Sequence, residues 1–136
     1  MTKYVLDSSA LIRYIDDEAG ADRVEDMVRA CVVRQADICI SAVQWGEVAG
    51  NLRKRVGAAD QQRILSALLP ADAEIVFVTA ERAVCAAELR VDRKIAYADG
   101  FALGLAMESP GHVLVTADYG FKAVEDLARI EFLPAK

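Results

Sequence analysis

The sequence predicts an α/β fold: a single α/β/α sandwich built on a parallel sheet of four to five strands. Three observations predict it. Short apolar strand segments alternate with helical periodicities along the whole chain, which calls for a parallel sheet with helices on both faces. The 136 residues suffice for one domain with one substantial core, and no repeat, low-complexity run or linker divides residues 1–136. Residues 95–107 (IAYADGFALGLAM) carry one charge, Asp99, in a run that is apolar all round its axis, the pattern of a buried helix.

Taken in order, Lys3–Leu6 is a short apolar strand running into Asp7. Ser8 and Ser9 are good helix N-caps, and Ala10–Ile15 begins a short helix. Asp16, Asp17 and Glu18 read as a solvated turn. Val24, Met27, Val28 and Cys31 recur at three- and four-residue steps, giving an amphipathic helix from Ala21 to about Arg34. Asp37–Ile40 is the second strand. Ser41, with Gln44 three residues on, forms a capping-box signature for a helix reaching about Arg55. Gly46 and Gly50 weaken that helix, which suggests close approach of another element. Asp60–Leu69 is a further helix stopped by Pro70. Glu74–Val78 is the third strand; Thr79 can cap the next helix, with Ala83, Val84, Ala87 and Val91 as its buried face. After the Asp99 helix, Ser109-Pro110-Gly111 is a sharp stop. His112–Thr116 is a strongly apolar strand leading to Asp118, then come a short helix to about Leu127 and a last strand near Arg129–Leu133.

Composition excludes several classes. With 54% hydrophobic and 27% charged residues the chain is globular rather than disordered. No uncharged run exceeds nine residues, too few for a transmembrane helix, and MTKYVLD lacks the apolar core of a signal peptide. The expected location is cytoplasmic. Cys31, Cys39 and Cys85 are widely spaced in apolar segments, which suits reduced core thiols. His112, the single histidine, directly precedes a strand, where a structural role is expected. A net charge of −5 argues against a basic nucleic-acid-coating face. Four acids holding two divalent cations would move that charge from −5 to −1, leaving Lys and Arg to meet phosphates locally. Arg53-Lys54-Arg55 is the densest basic run, explained by a helix C-terminus, with phosphate contact as the lesser alternative.

The chemistry lies in isolated acids. Right-handed crossovers bring the carboxyl ends of all parallel strands to one edge, where ligands bind. Asp7 and Asp118 end strands; Glu47 and Asp99 sit in early turns of helices entered from that edge. Each alone has an ordinary explanation, as a surface acid or a partner of the helix dipole. Gathered, the four repel and some stay protonated unless cations intervene. Hard oxygens suit Mg²⁺ or Mn²⁺, one or two ions, and the matching chemistry is in-line displacement at phosphorus by water activated on the metal. Ser9 and Thr116, two residues from Asp7 and Asp118, are placed to hydrogen-bond the ligating carboxylates, or else act as caps.

The set VLDSSALI (5–12), SAVQWGEV (41–48), IAYADGFALGLA (95–106) and LVTADYGFK (114–122) resembles the PIN-domain ribonucleases, and most of all their VapC-type toxins from bacterial toxin–antitoxin pairs. The likeness spans nearly the whole chain. It implies that Asp7, Glu47, Asp99 and Asp118 are a metal-binding acidic quartet supported by Ser9 and Thr116. It also implies an RNA substrate, frequent homodimers, and a small antitoxin that covers the acids from an apolar groove. Leu11, Ile12, Ile15 and Trp45 are candidates to line that groove, with core packing as the alternative. Arg93 and Lys94 are candidates to neutralise a leaving phosphate, with a solvated turn as the alternative. The chain departs from many relatives at Gly120, where they carry an acid or amide; this bears on a second metal position. A haloacid-dehalogenase-like phosphohydrolase would need a second aspartate where Ser9 stands. A response-regulator receiver would need adjacent acids after the first strand, where Asp7-Ser8 stands. A PIN scaffold that binds RNA without cutting it is the non-enzymatic alternative.

Overall fold

The computed structural model describes residues 1–136. Five strands, β1 (Lys3–Leu6), β2 (Asp37–Ser41), β3 (Glu74–Val76), β4 (His112–Thr116) and β5 (Ile130–Phe132), form one sheet in the order β3-β2-β1-β4-β5. Every neighbouring pair is parallel. The helices are α1 (Ser8–Ile15), α2 (Ala21–Val32), α3 (Ala42–Leu68), α4 (Ala80–Arg93) and α5 (Tyr97–Met107), with a 3-10 turn at Tyr119–Val124.

Period-two alternation along the strands explains the two cores. Leu6, Ile38, Ile40 and Val115 point to the face covered by α1, α2 and the start of α3, joining Leu11, Val24, Met27 and Leu52. Val5, Cys39 and Leu114 point to the other face and meet Leu103, Phe121 and Ala102. Both faces are buried under helices, as in a parallel sheet covered on each side. The three cysteines are unpaired, and His112 Nδ1 lies 2.8 Å from the Leu105 carbonyl oxygen, a structural contact.

Several details correct the sequence reading. The cap of α1 is Asp7, whose Oδ1 accepts from Ala10 N–H at 2.9 Å; Ser8 and Ser9 lie inside the helix. Ser41 caps α3 by accepting from Val43 N–H at 3.2 Å, but Gln44 does not return to Ser41 and the capping box is absent. The expected helices over 41–55 and 60–69 form one element, broken at Gly57, where φ is +82°. That value is open to glycine without strain.

The two helices on the second face pack through a different stripe of α4 from the expected one. Ala86 and Leu89 are buried, whereas Val84 and Val91 are 58% and 74% exposed. The reason is Gly100 on α5: a Cβ there would stand 2.9 Å from Ala86 Cα, so the backbones touch where both residues are small. Gly46 and Gly50, by contrast, face open space and mark no close approach.

Candidate acidic metal site

β1 and β4 are neighbours with Leu6 opposite Val115, so their ends bring Asp7 and the Thr116–Asp118 turn together. Asp7 is 2% exposed. Its Oδ1 accepts from Ser9 Oγ–H at 2.7 Å and from Ala10 N–H, and its Oδ2 accepts from Thr116 Oγ1–H at 2.5 Å. Thr116 also accepts the Asp118 N–H at 2.9 Å. Ser9 accepts Ala117 N–H at 2.8 Å. Both hydroxyls singled out from the sequence therefore serve Asp7, and Thr116 supports Asp118 through its backbone rather than its carboxylate.

Glu47 lies in the second turn of α3, exposed to solvent, with Oε1 accepting from Ser8 Oγ–H at 3.1 Å. Asp118 is exposed, and its Oδ1 accepts Gly120 N–H at 2.8 Å. A Cβ at residue 120 would stand 3.0 Å from that Oδ1, so glycine lets the loop close on the carboxylate. Asp99 sits in the first turn of α5, half-buried.

The electrostatics tie the four together. Burial pushes Asp7 up from 3.8 to about 6, against the pull of Thr116, Ser9 and Ala10, and the Asp118 charge adds to the rise. Asp99 is likewise raised from 3.8 to about 6, by desolvation first and then by the charges of Asp118, Asp7 and Glu47. Each of the other three acids thus acts on Asp99. As the side chains stand, no three acid, histidine or cysteine groups are close enough together to hold an ion. The donor set is nevertheless hard carboxylate oxygen whose mutual repulsion a divalent cation would relieve, and Glu47 and Asp118 are exposed, each held by one hydrogen bond. The residues fit Mg²⁺ or Mn²⁺.

A residue that sequence reasoning missed stands behind the acids. Gln44 is wholly buried; its Oε1 accepts Ser8 N–H at 2.7 Å and its Nε2 donates to the Ala98 carbonyl at 2.7 Å. The spacing that suggested a capping box was its one signal.

The remaining expected residues divide. Leu11 is fully buried in the core and cannot line an open groove, which corrects that expectation. Ile12, Ile15 and Trp45 are partly exposed, Ile15 and Trp45 packing on the core edge. Arg93 holds Asp126 through both terminal nitrogens, at 3.0 and 2.8 Å, and also the Ala123 carbonyl at 3.0 Å. A phosphate at Arg93 would have to compete with that pair. Lys94 ends α4 in the left-handed region at φ +59° and is exposed. Arg53, Lys54 and Arg55 are exposed, with Arg55 paired to Asp16 at 3.0 Å. A hollow of about 450 Å³ between α4 and α5 is lined by Arg82, Cys85 and Glu108 among others and contains none of the four acids.

The family model of the PIN domain matches residues 4–127. No curated protein matches in sequence at a significant level. Among solved structures, a chain of VapBC2 from Rickettsia felis, bound to a DNA fragment from its promoter, superposes with a TM-score of 0.75 at 20% identity, covering 98% of this chain and 100% of its own. VapC20 of Mycobacterium tuberculosis, a sarcin-ricin loop cleaving toxin, gives 0.67 at 20% identity, with 89% and 94% covered. A chain of FitAcB from Neisseria gonorrhoeae gives 0.64 at 20% identity, with 94% and 96% covered. Likeness at this level of identity speaks for the fold.

Proposed function

This chain belongs to the PIN-domain family, and from that premise we propose that it is a metal-dependent endoribonuclease, the toxin of a type II toxin–antitoxin pair. The observation that carries the proposal is the convergence of the acids at one sheet edge: Thr116 joins Asp7 to the Asp118 backbone, Glu47 accepts from Ser8 beside Asp7, and Gln44 ties Ser8 to Ala98 beside Asp99. Asp7, Glu47, Asp99 and Asp118 would hold one or two Mg²⁺ or Mn²⁺ ions. When bound, the metal supplies activation of an attacking water and neutralisation of charge at the phosphorus. The chain's own part is to set the carboxylates. Thr116 and Ser9 fix the orientation of Asp7, and Gly120 N–H fixes Asp118. With His112 committed to the Leu105 carbonyl, proton removal from water falls to a carboxylate.

Comparison of the wild type with Asp7→Asn for cleavage of cellular RNA in Mg²⁺ or Mn²⁺ tests the proposal. Metal-dependent products from the wild type and none from the variant support it; equal cleavage by both overturns it. The second reading, a scaffold that binds RNA without cutting it, draws on the lack of any three preassembled ligands. RNA binding by the wild type with no metal-dependent product selects that reading.

The proposed protein partner is a small antitoxin. The VapBC2 and FitAcB structures among the neighbours support this, and so do the partly exposed Ile12, Ile15 and Trp45 beside the helices that carry the acids. A homodimer is also proposed, since Val84 and Val91 leave an apolar stripe on α4 uncovered. Light scattering of the purified chain reads its mass. No helix is long and apolar enough to cross a membrane.

A further inference from the structure

We infer that Gln44 is a positioning residue for the acidic site, its side-chain amide fixing the helix starts that carry Asp7, Glu47 and Asp99 relative to one another. The inference rests on the nuclease reading and deepens it.

The geometry is specific. Gln44 is 0% exposed, unusual for a glutamine, and lies on the buried face of α3 with Val48 and Leu52. Its Oε1 accepts the N–H of Ser8, the residue after Asp7, and its Nε2 donates to the carbonyl of Ala98, the residue before Asp99. Gln44 itself lies three residues before Glu47, one helical turn away on α3. One amide thus links the backbone beside two acids to the helix bearing the third. Asp118 is joined to the same unit by a different route, its N–H to Thr116 and Thr116 to Asp7.

The chemistry leaves little room for another side chain. Both partners are backbone groups of fixed polarity, so the amide orientation is forced. The Ser8 N–H is one of the N-terminal donors that α1 cannot satisfy internally, and Asp7 already caps Ala10. A glutamate would keep the acceptor and set an oxygen against the Ala98 carbonyl. A methionine keeps the volume and loses both bonds. An asparagine keeps both functions but is one methylene short of spanning them.

A purely structural glutamine and a positioning glutamine differ in one measurable respect: whether metal affinity changes in protein that is still folded. Mn²⁺ binding is measured by water-proton relaxation on wild type, Gln44→Met, Gln44→Asn and Asp7→Asn, at a temperature where circular dichroism shows each folded. The expected result is binding weakened about 10- to 100-fold in both Gln44 variants, the range for groups that orient metal ligands. Unchanged affinity in folded Gln44→Met and Gln44→Asn overturns the inference while leaving the nuclease reading intact. Wild-type protein that binds no Mn²⁺, or binds it as Asp7→Asn does, overturns the nuclease reading and the inference with it. Should both Gln44 variants fail to fold, hydrogen exchange in the wild type decides. A Ser8 amide whose protection increases when Mn²⁺ is added supports the positioning role, and one whose exchange is indifferent to Mn²⁺ overturns it.

Discussion

The two sides of the acidic site are built differently. Asp7 is buried, accepts three hydrogen bonds and lies between Ser9 and Thr116, which are themselves hydrogen-bonded to the chain. Glu47 and Asp118 are exposed, each held by a single hydrogen bond, from Ser8 and Gly120 respectively. The difference teaches how four like charges can coexist on one edge without metal. The buried member is held by hydrogen bonds that offset part of its burial cost, a cost that still leaves its pKa raised to about 6, while the exposed members keep water and one hydrogen bond each. A rigid anchor and mobile jaws would let a metal ion complete a site that is not preassembled.

The sharpest break of this comparison is to neutralise one acid on each side. Asp7→Asn is expected to lower RNA cleavage by about 10²–10³-fold, the scale for losing one preorganised electrostatic contributor. Glu47→Gln, which alters a side chain already in water, is expected to lose less. Initial rates in Mg²⁺ on the same RNA check the order, and equal losses would erase the distinction between anchor and jaw.

Stability without metal tests the anchor from the other direction. Folded Asp7 takes up its proton near pH 6 and the unfolded chain near 3.8, so between these values the folded state holds more protons. Stability in chelator therefore falls as pH rises through that window, with the full penalty present above pH 6. For Asp7 alone this corresponds to about 3 kcal/mol. Asp99, raised to about 6, adds to the slope in the same direction. Urea unfolding from pH 4 to 8 should show the decline in wild type, a shallower one in Asp7→Asn, and a gain on adding Mg²⁺ above pH 6. Profiles that coincide for the two proteins would refute the burial penalty.

Thr116→Val tests the link between the two sides. The variant keeps the shape, removes the donor to Asp7 and removes the acceptor of Asp118 N–H. The expected loss of activity is about 10- to 100-fold, with about 1–3 kcal/mol of stability. Activity that survives while stability falls would reduce Thr116 to a packing residue.

The sheet and its helices were legible because each signal is local, a strand of four or five apolar residues or a cap, and the four acids were conspicuous as candidates for the same reason, each among apolar neighbours. What escaped the sequence depends on partners far along the chain. Gln44 binds residues 36 and 54 positions away, and its spacing from Ser41 imitated a capping box. In Asp7-Ser8-Ser9 three consecutive residues all make good caps, and only the strand's end decides that Asp7 takes the role. On α4 two apolar stripes compete, and the contact of Gly100 with Ala86 selects the one that carries Ala86 and Leu89. Leu11 sits on a helix beside the acids, but helix position alone does not tell a groove from a core, and it is buried.

The smallest expected effect concerns Ser8, which touches both sides of the comparison. Its N–H is held by Gln44 in the buried layer, and its hydroxyl reaches out to Glu47 at 3.1 Å. Ser8→Ala removes the second contact and leaves the first, so the backbone beside Asp7 stays where it is. A hydrogen bond to an exposed carboxylate contributes at the low end of the usual 0.5–1.5 kcal/mol, about a two- to threefold effect. The change should fall on the Mg²⁺ concentration needed for half-maximal cleavage, since Glu47 would be less well aimed, with the melting temperature unchanged. No change at all would mean that α3 alone aims Glu47. A loss as large as that of Thr116→Val would mean that Glu47 is as firmly anchored as Asp7, and the division between a rigid and a mobile side would have to be abandoned.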